Sequence, residues 1–202
     1  MTLSRDHKQL RISNVFPMDL NFLLFIENIY KSYYGEKQVF PGRHLISNGE
    51  ELLEAERFNE ILVTCWEENV RELEQQQYMV KPFNPILFRD HYTNLFRKDS
   101  ELHTSERVWN TFSLWWWSEY GIKTYMERYT DLFMPEIVEQ IWKGLYDKNI
   151  EIDDGSSLYI ILLFKQPDIV LQKNTNKLFF SSINNFVCKK EKIVNEIVDL
   201  FV

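Results

Sequence analysis

Near neutral pH, side-chain chemistry runs chiefly through imidazole, thiolate and paired carboxylates, and this chain has four histidines and two cysteines to supply it. His7 and His44 fall in polar, loop-like stretches. His91 follows Asp90, and His103 comes four residues after Asp99, so each ring has a carboxylate that could orient it or share a metal with it. Such neighbours also arise by chance, and solvent-exposed polar residues are the plainer account. Cys65 could form a thiolate pair with one of these rings. Its place on the apolar side of a long helix predicts a small buried hydrophobe instead. Asp153, Asp154 and Gly155 offer oxygen ligands of the kind hard cations take, but EF-hand spacing is missing and Asp with Gly makes an ordinary turn.

Motifs that would carry a reaction by themselves are missing. There is no glycine-rich phosphate loop, no dinucleotide fingerprint, and no G-x-S-x-G, H-E-x-x-H or S-x-x-K arrangement. No cofactor and no metal are therefore predicted. An enzyme remains an alternative, with a spatially assembled, hydrolytic site drawing on His91, His103 and nearby carboxylates.

Two other features stand above the background. The segment Asn48 to Tyr78 holds Glu50, Glu51, Glu54, Glu56, Glu60, Glu67, Glu68, Glu72 and Glu74 against Arg57 and Arg71, a balance of minus seven that equals the net charge of the whole chain. At about 100 degrees per residue, Glu54, Glu56, Glu60, Glu67, Glu68, Glu72 and Glu74 are assigned to the side away from Phe58, Leu62 and Leu73. A Glu-rich solvated face that keeps the protein soluble would look the same. Glu72 and Glu74, however, lie towards the negative end of the helix dipole, a cost of about a few tenths of a kcal/mol that a basic partner would offset. The same stripe repels phosphate, which disfavours direct nucleic-acid binding.

The second feature is Trp115, Trp116 and Trp117. Three consecutive helical residues span about 200 degrees, so either neighbours surround the helix or one indole is exposed. Burial in the core and an aromatic anchor at an interface both fit. Together the two features predict a protein that binds a basic protein partner, with Glu56, Glu60, Glu67, Glu68, Glu74 and Trp116 as contact residues. An immunity or antitoxin-like role is one concrete version. A structural subunit that self-associates through an exposed indole is a third possibility.

The elements that must position these residues are read from periodicity and capping. Asp19 to Tyr34 predicts a deeply packed first helix, with Asp19 as N-cap, a staple between Met18 and Leu23, and Gly35 at its end. Gly35 to Ile46 reads as a loop. Ser47 with Glu50 fits a capping box opening the long acidic helix, whose buried side is Ala55, Phe58, Leu62, Cys65, Trp66, Val70 and Leu73. Pro82 and Pro85 enforce an extended stretch, and Ile86 to Phe96 is assigned to a short helix over a strand. Thr104 caps a helix to about Tyr120, ended by Gly121. Ile122 to Phe133 forms another, and Pro135 opens a separate helix from Glu136 to Asp147. Leu158 to Phe164 is a β-branched and aromatic run suited to a buried strand. Ile169 to Leu171 and Lys177 to Ser181 are its predicted partners, with Asn174 to Asn176 as a hairpin turn, and Glu191 to Phe201 is a closing helix.

The expected fold class is thus α+β: predominantly helical over about 17–148, with a small antiparallel sheet in the C-terminal quarter and a closing helix over about 150–202. At 202 residues, 45% hydrophobic and 26% charged, the chain fits one globular domain spanning 1–202 and lies far from the signature of disorder. Alanine occurs only at Ala55, so large rings and branched aliphatics must build the core. Cys65 and Cys188 are expected to stay reduced. No signal peptide is read from the polar Met1 to Leu10, and the longest apolar runs fall short of the roughly 20 residues of a membrane helix. A cytoplasmic protein without membrane contact is expected.

Overall fold

A computed structural model describes residues 10–35, 53–75, 92–97, 104–153, 155–167, 174–175 and 177–202. The chain divides into two compact units, each built from segments distant in sequence. One takes in Met18–Thr124 with Pro167–Leu171, and the other Met1–Pro17, Tyr125–Gln166 and Gln172–Val202.

The first unit is helical in its described residues. Helix α1, Met18–Tyr33, buries thirteen of its sixteen residues, which makes it the central helix here, as its apolar breadth predicts. Asp19 lies inside its first turn. It ends at Gly35, whose φ of 98° an L side chain would adopt only with strain. Helix α2, Ala55–Glu74, starts later than the sequence suggests. The cause is a tether: Tyr30 on α1 donates its hydroxyl to the carbonyl of Leu53 at 3.0 Å, and Glu54 is extended at the N-cap position without a side-chain cap. Ser47 and Glu50, the expected capping box, lie outside the described residues. A short 3₁₀ turn, Thr93–Leu95, follows, and α2 is held to it by Asn69, which donates to the Tyr92 hydroxyl at 2.9 Å. The rest of the expected 86–96 helix falls outside the described residues.

Helix α3, Thr104–Trp117, stops before the predicted Tyr120 because Ser118 to Gly121 folds into a turn, with the Gly121 N–H on the Ser118 carbonyl at 2.8 Å. A Cβ at Gly121 would lie 2.2 Å from the Trp115 carbonyl oxygen, so only glycine lets the chain double back there. The predicted break at Pro135 does not occur. Helix α4 runs unbroken over Ile122–Asp147 with the proline inside it. Met126, Thr130, Ile137, Ile141 and Leu145 keep one buried phase through it, and this packing outweighs the N–H that proline removes from the ladder.

The second unit corrects the predicted sheet, which is neither antiparallel nor confined to the C-terminal quarter. Strands β1 (Arg11–Val15), β2 (Ser157–Leu163) and β3 (Leu178–Ser182) form a parallel sheet in the order β1-β2-β3. Arg11 pairs with Ser157, and Tyr159 pairs with Leu178. The physical reason stands in the residues: Leu158, Ile160, Ile161, Leu162 and Leu163 are fully buried, as is nearly all of β3. Strands covered on both faces are what parallel sheets require, while antiparallel pairs tolerate an alternating, half-wet pattern. Asn174 and Thr175, assigned to a hairpin turn, instead bind the free edge of β3. Thr175 exchanges bonds with Leu178, and Asn174 Oδ1 accepts from the Phe180 N–H at 3.0 Å. The expected strand Ile169 to Leu171 lies outside the described residues. Helix α5 (Ile183–Cys188), capped by Ser182, precedes the closing helix α6 (Lys190–Asp199). Lys190 pairs with Glu136, and Lys148 pairs with Asp199 at 2.6 Å, so α6 lies along α4 in the same direction.

Candidate partner-binding site

Helix α2 is continuous, and its buried side is Phe58, Leu62, Cys65, Trp66, Asn69 and Leu73. Tyr30 stacks on Phe58 at 3.9 Å between centroids, fixing the helix against α1 and turning its other sides to water. Ala55, expected on the buried side, is exposed, and Val70 is half-buried. Glu54, Glu56, Glu60, Glu67, Glu68, Glu72 and Glu74 are all exposed. They do not form one stripe, however. With about 100 degrees per residue, Glu56, Glu60, Glu67 and Glu74 stand directly opposite Phe58 and Leu62, while Glu54, Glu68 and Glu72 lie on a flank.

The charge is partly answered within the chain. Arg57 binds Glu60 at 2.9 Å and Arg97 binds Glu54 at 2.9 Å, and Glu68 has interactions of its own. Among the described residues Glu56, Glu67, Glu72 and Glu74 carry no ion pair. Within α2 six glutamates face two arginines, which leaves an excess of four negative charges on an exposed helix.

Beside this surface lies an open groove of about 950 Å³. Ile61, Cys65 and Phe96 give it apolar walls, and Arg57, Glu60 and Glu68 give it a charged rim. The groove belongs to the flank of α2, between its buried and its fully solvated sides. Cys65 contributes a neutral sulfur: burial pushes its thiol up to about 11, and the Glu68 carboxylate adds to the rise. A thiol held in that form at neutral pH is a packing group, as its helical phase predicts.

Trp116 is corrected. It is 1% exposed and stacks on Phe112 at 5.5 Å, inside a cluster with Phe22 and Phe25, so it presents nothing to a partner. Val108, Phe112 and Trp116 recur every four residues, a signal that could have placed this indole in the core. The indole that reaches solvent is Trp117, 55% exposed with the Lys123 ammonium 5.0 Å from its ring centre. Leu114 and Tyr120 are exposed beside it in sequence. Of the predicted contact residues, Glu56, Glu60, Glu67, Glu68 and Glu74 are at the surface and Trp116 is not.

His7, His44, His91 and His103 lie outside the described residues, as does Asp154. Asp153 accepts from the Ser156 N–H at 3.1 Å through its backbone carbonyl, closing the predicted turn at Gly155. Among the described residues no cluster of three or more His, Cys, Asp or Glu is arranged to hold a metal, and no helix is long and apolar enough to cross a membrane. Compared with protein-family models, with curated proteins and with solved structures, the chain matches none.

Proposed function

We propose that this protein binds a basic protein partner through α2, with the partner's cationic residues on Glu56, Glu67 and Glu74 and an apolar side chain in the adjacent groove. The observation that carries this reading is the pairing of unanswered carboxylates with an apolar-walled cleft on one helix. Carboxylates alone would describe a solvated surface, whereas a neighbouring cleft supplies the desolvated contact that slows release. Complementary charge raises the encounter rate, and that contribution weakens as salt screens it. An immunity or antitoxin-like role, in which the chain covers a basic toxin or nuclease, is the concrete form this function would take.

The test begins with capture of partners from native lysate and proceeds to association kinetics with the captured protein. Replacing Glu56, Glu67 and Glu74 together by Lys should slow association at least tenfold at low salt, with a much smaller change at high salt. An unchanged rate, or wild-type association insensitive to salt, removes this face from the function.

A second reading, self-association, is favoured by one observation: Leu114, Trp117 and Tyr120 are 74%, 55% and 88% exposed around the end of α3. Large apolar groups grouped in this way are what an interface between copies would cover.

A further inference from the structure

A second pocket, independent of α2, lies in the unit that contains the sheet. It has a volume of about 280 Å³, and its lining includes the polar groups of Gln166, Asn174, Asn185, Lys189 and Lys192 and one carboxylate, Glu196. Its place follows from the parallel topology. Gln166 comes three residues after the end of β2 and Asn185 three after the end of β3, so both belong to the carboxyl ends of adjacent strands. Open parallel sheets gather ligands at that end, because loops leaving successive strands on the same side converge there. Lys189 at the N-cap of helix α6 and Lys192 in its first turn complete the lining.

Three donors in the lining, the Asn174 amide and the two lysine ammoniums, stand against the one carboxylate of Glu196. Asn174 commits its Oδ1 to the Phe180 N–H, which leaves its amide nitrogen to donate. Asn185 donates to Gln166 Oε1 at 3.3 Å, which fixes both amides across the pocket. The Lys189 ammonium has no partner among the described residues. Lys192 shares Glu196 at a loose 3.5 Å. Two lysines against one glutamate leave a local excess of positive charge on a chain whose net charge is minus seven. Lys190, between them in sequence, is turned away to Glu136 and the Phe133 ring, so the pocket lysines are set apart from the one used in packing.

From the convergence of these donors at the carboxyl edge of the sheet, we infer that the pocket binds a small oxyanion-bearing molecule, a carboxylate or a phosphate ester. Its volume lies just under the roughly 300–1,000 Å³ that holds drug-sized ligands, so the occupant is compact. Lys189 and Lys192 supply the charge, and the Asn174 amide supplies the directional bond.

Titration calorimetry of the full chain with inorganic phosphate and, separately, malonate tests this. Saturable binding of one equivalent of either is expected, and the tighter of the two identifies the headgroup. Lys189→Ala with Lys192→Ala should weaken it at least tenfold, while Lys143→Ala, which removes one positive charge elsewhere in the same unit, should leave it within twofold. Glu196→Gln should tighten it about threefold by freeing Lys192. Both pocket lysines are solvent-accessible, so the double variant should melt with the wild type; if it does not, the Glu196→Gln result decides. Binding of neither probe, equal weakening by Lys143→Ala, or no tightening by Glu196→Gln would overturn the assignment.

Discussion

Cys65 shows how one residue's environment settles its chemistry. Burial and Glu68 hold its proton to about 11 from an ordinary value of 9.0. The folded thiol thus keeps its proton to higher pH than the unfolded one, and the stability this contributes is intact below about 9 and lost as pH climbs through about 11. The Tyr30 hydroxyl, raised by burial and by Tyr34, acts in the same direction over a higher interval. Urea unfolding midpoints should therefore fall between about pH 9 and pH 11, and Cys65→Ala should flatten part of that decline. The same burial predicts two classes of thiol towards a disulfide reagent at about pH 8. Exposed Cys188 should react at once and Cys65 only on unfolding, so that Cys188→Ser abolishes the fast phase. A fast phase surviving in that variant would contradict the packing of α2 described above.

Elements are decided by a competition between local signals and tertiary packing, and α4 is the clearest case. Pro135 is an acceptable first residue of a helix, so a break there is the natural sequence reading. The single buried phase from Met126 to Leu145 joins the two halves instead. Pro135→Ala should restore the N–H for the fourth carbonyl before it and stabilise the chain by about 1–3 kcal/mol in urea unfolding. The turn between α3 and α4 carries the opposite prediction. Gly121→Ala places a methyl against the Trp115 carbonyl and should destabilise by about 2 kcal/mol or more, because backbone on one side cannot yield as a side-chain tip can. Helix α2 differs again: its existence and face follow from periodicity, while its start was set by the Tyr30 tether to Leu53, a contact between helices that periodicity does not report.

At the scale of the whole molecule the net charge of minus seven and the exposed aromatic end of α3 make opposing demands. Like charge keeps copies apart at low salt, and apolar surface favours their contact as salt screens that repulsion. If Trp117 mediates self-association, sedimentation velocity should show a concentration-dependent species that strengthens with salt and disappears in Trp117→Ser. A monomer at every salt and concentration would exclude it and leave the heterologous partner of α2. The two functions are thereby separable, since one grows with ionic strength and the other weakens.

What the residues determined without their neighbours is whatever repeats along one element: the depth of α1, the buried side of α2, the strand at Leu158 and the helix at Glu191. Periodicity encodes which side of an element is apolar, because burial of that side is what stabilises it. Strand direction is not encoded in that way. The 157–163 run is compatible with either kind of neighbour, and only its tertiary pairing, with Arg11–Val15 on one side and Leu178–Ser182 on the other, made the sheet parallel and gave it a carboxyl edge. The pocket at that edge was invisible for the same reason, since Gln166, Asn174, Ser181 and Lys189 share no spacing and meet only in space. The fate of the three tryptophans was half legible: the four-residue step through Val108, Phe112 and Trp116 points inward, but it took the cluster around Phe22 and Phe25 to fill that side and leave Trp117 outside. Local pattern sets which faces must be covered, and tertiary structure alone chooses what covers them.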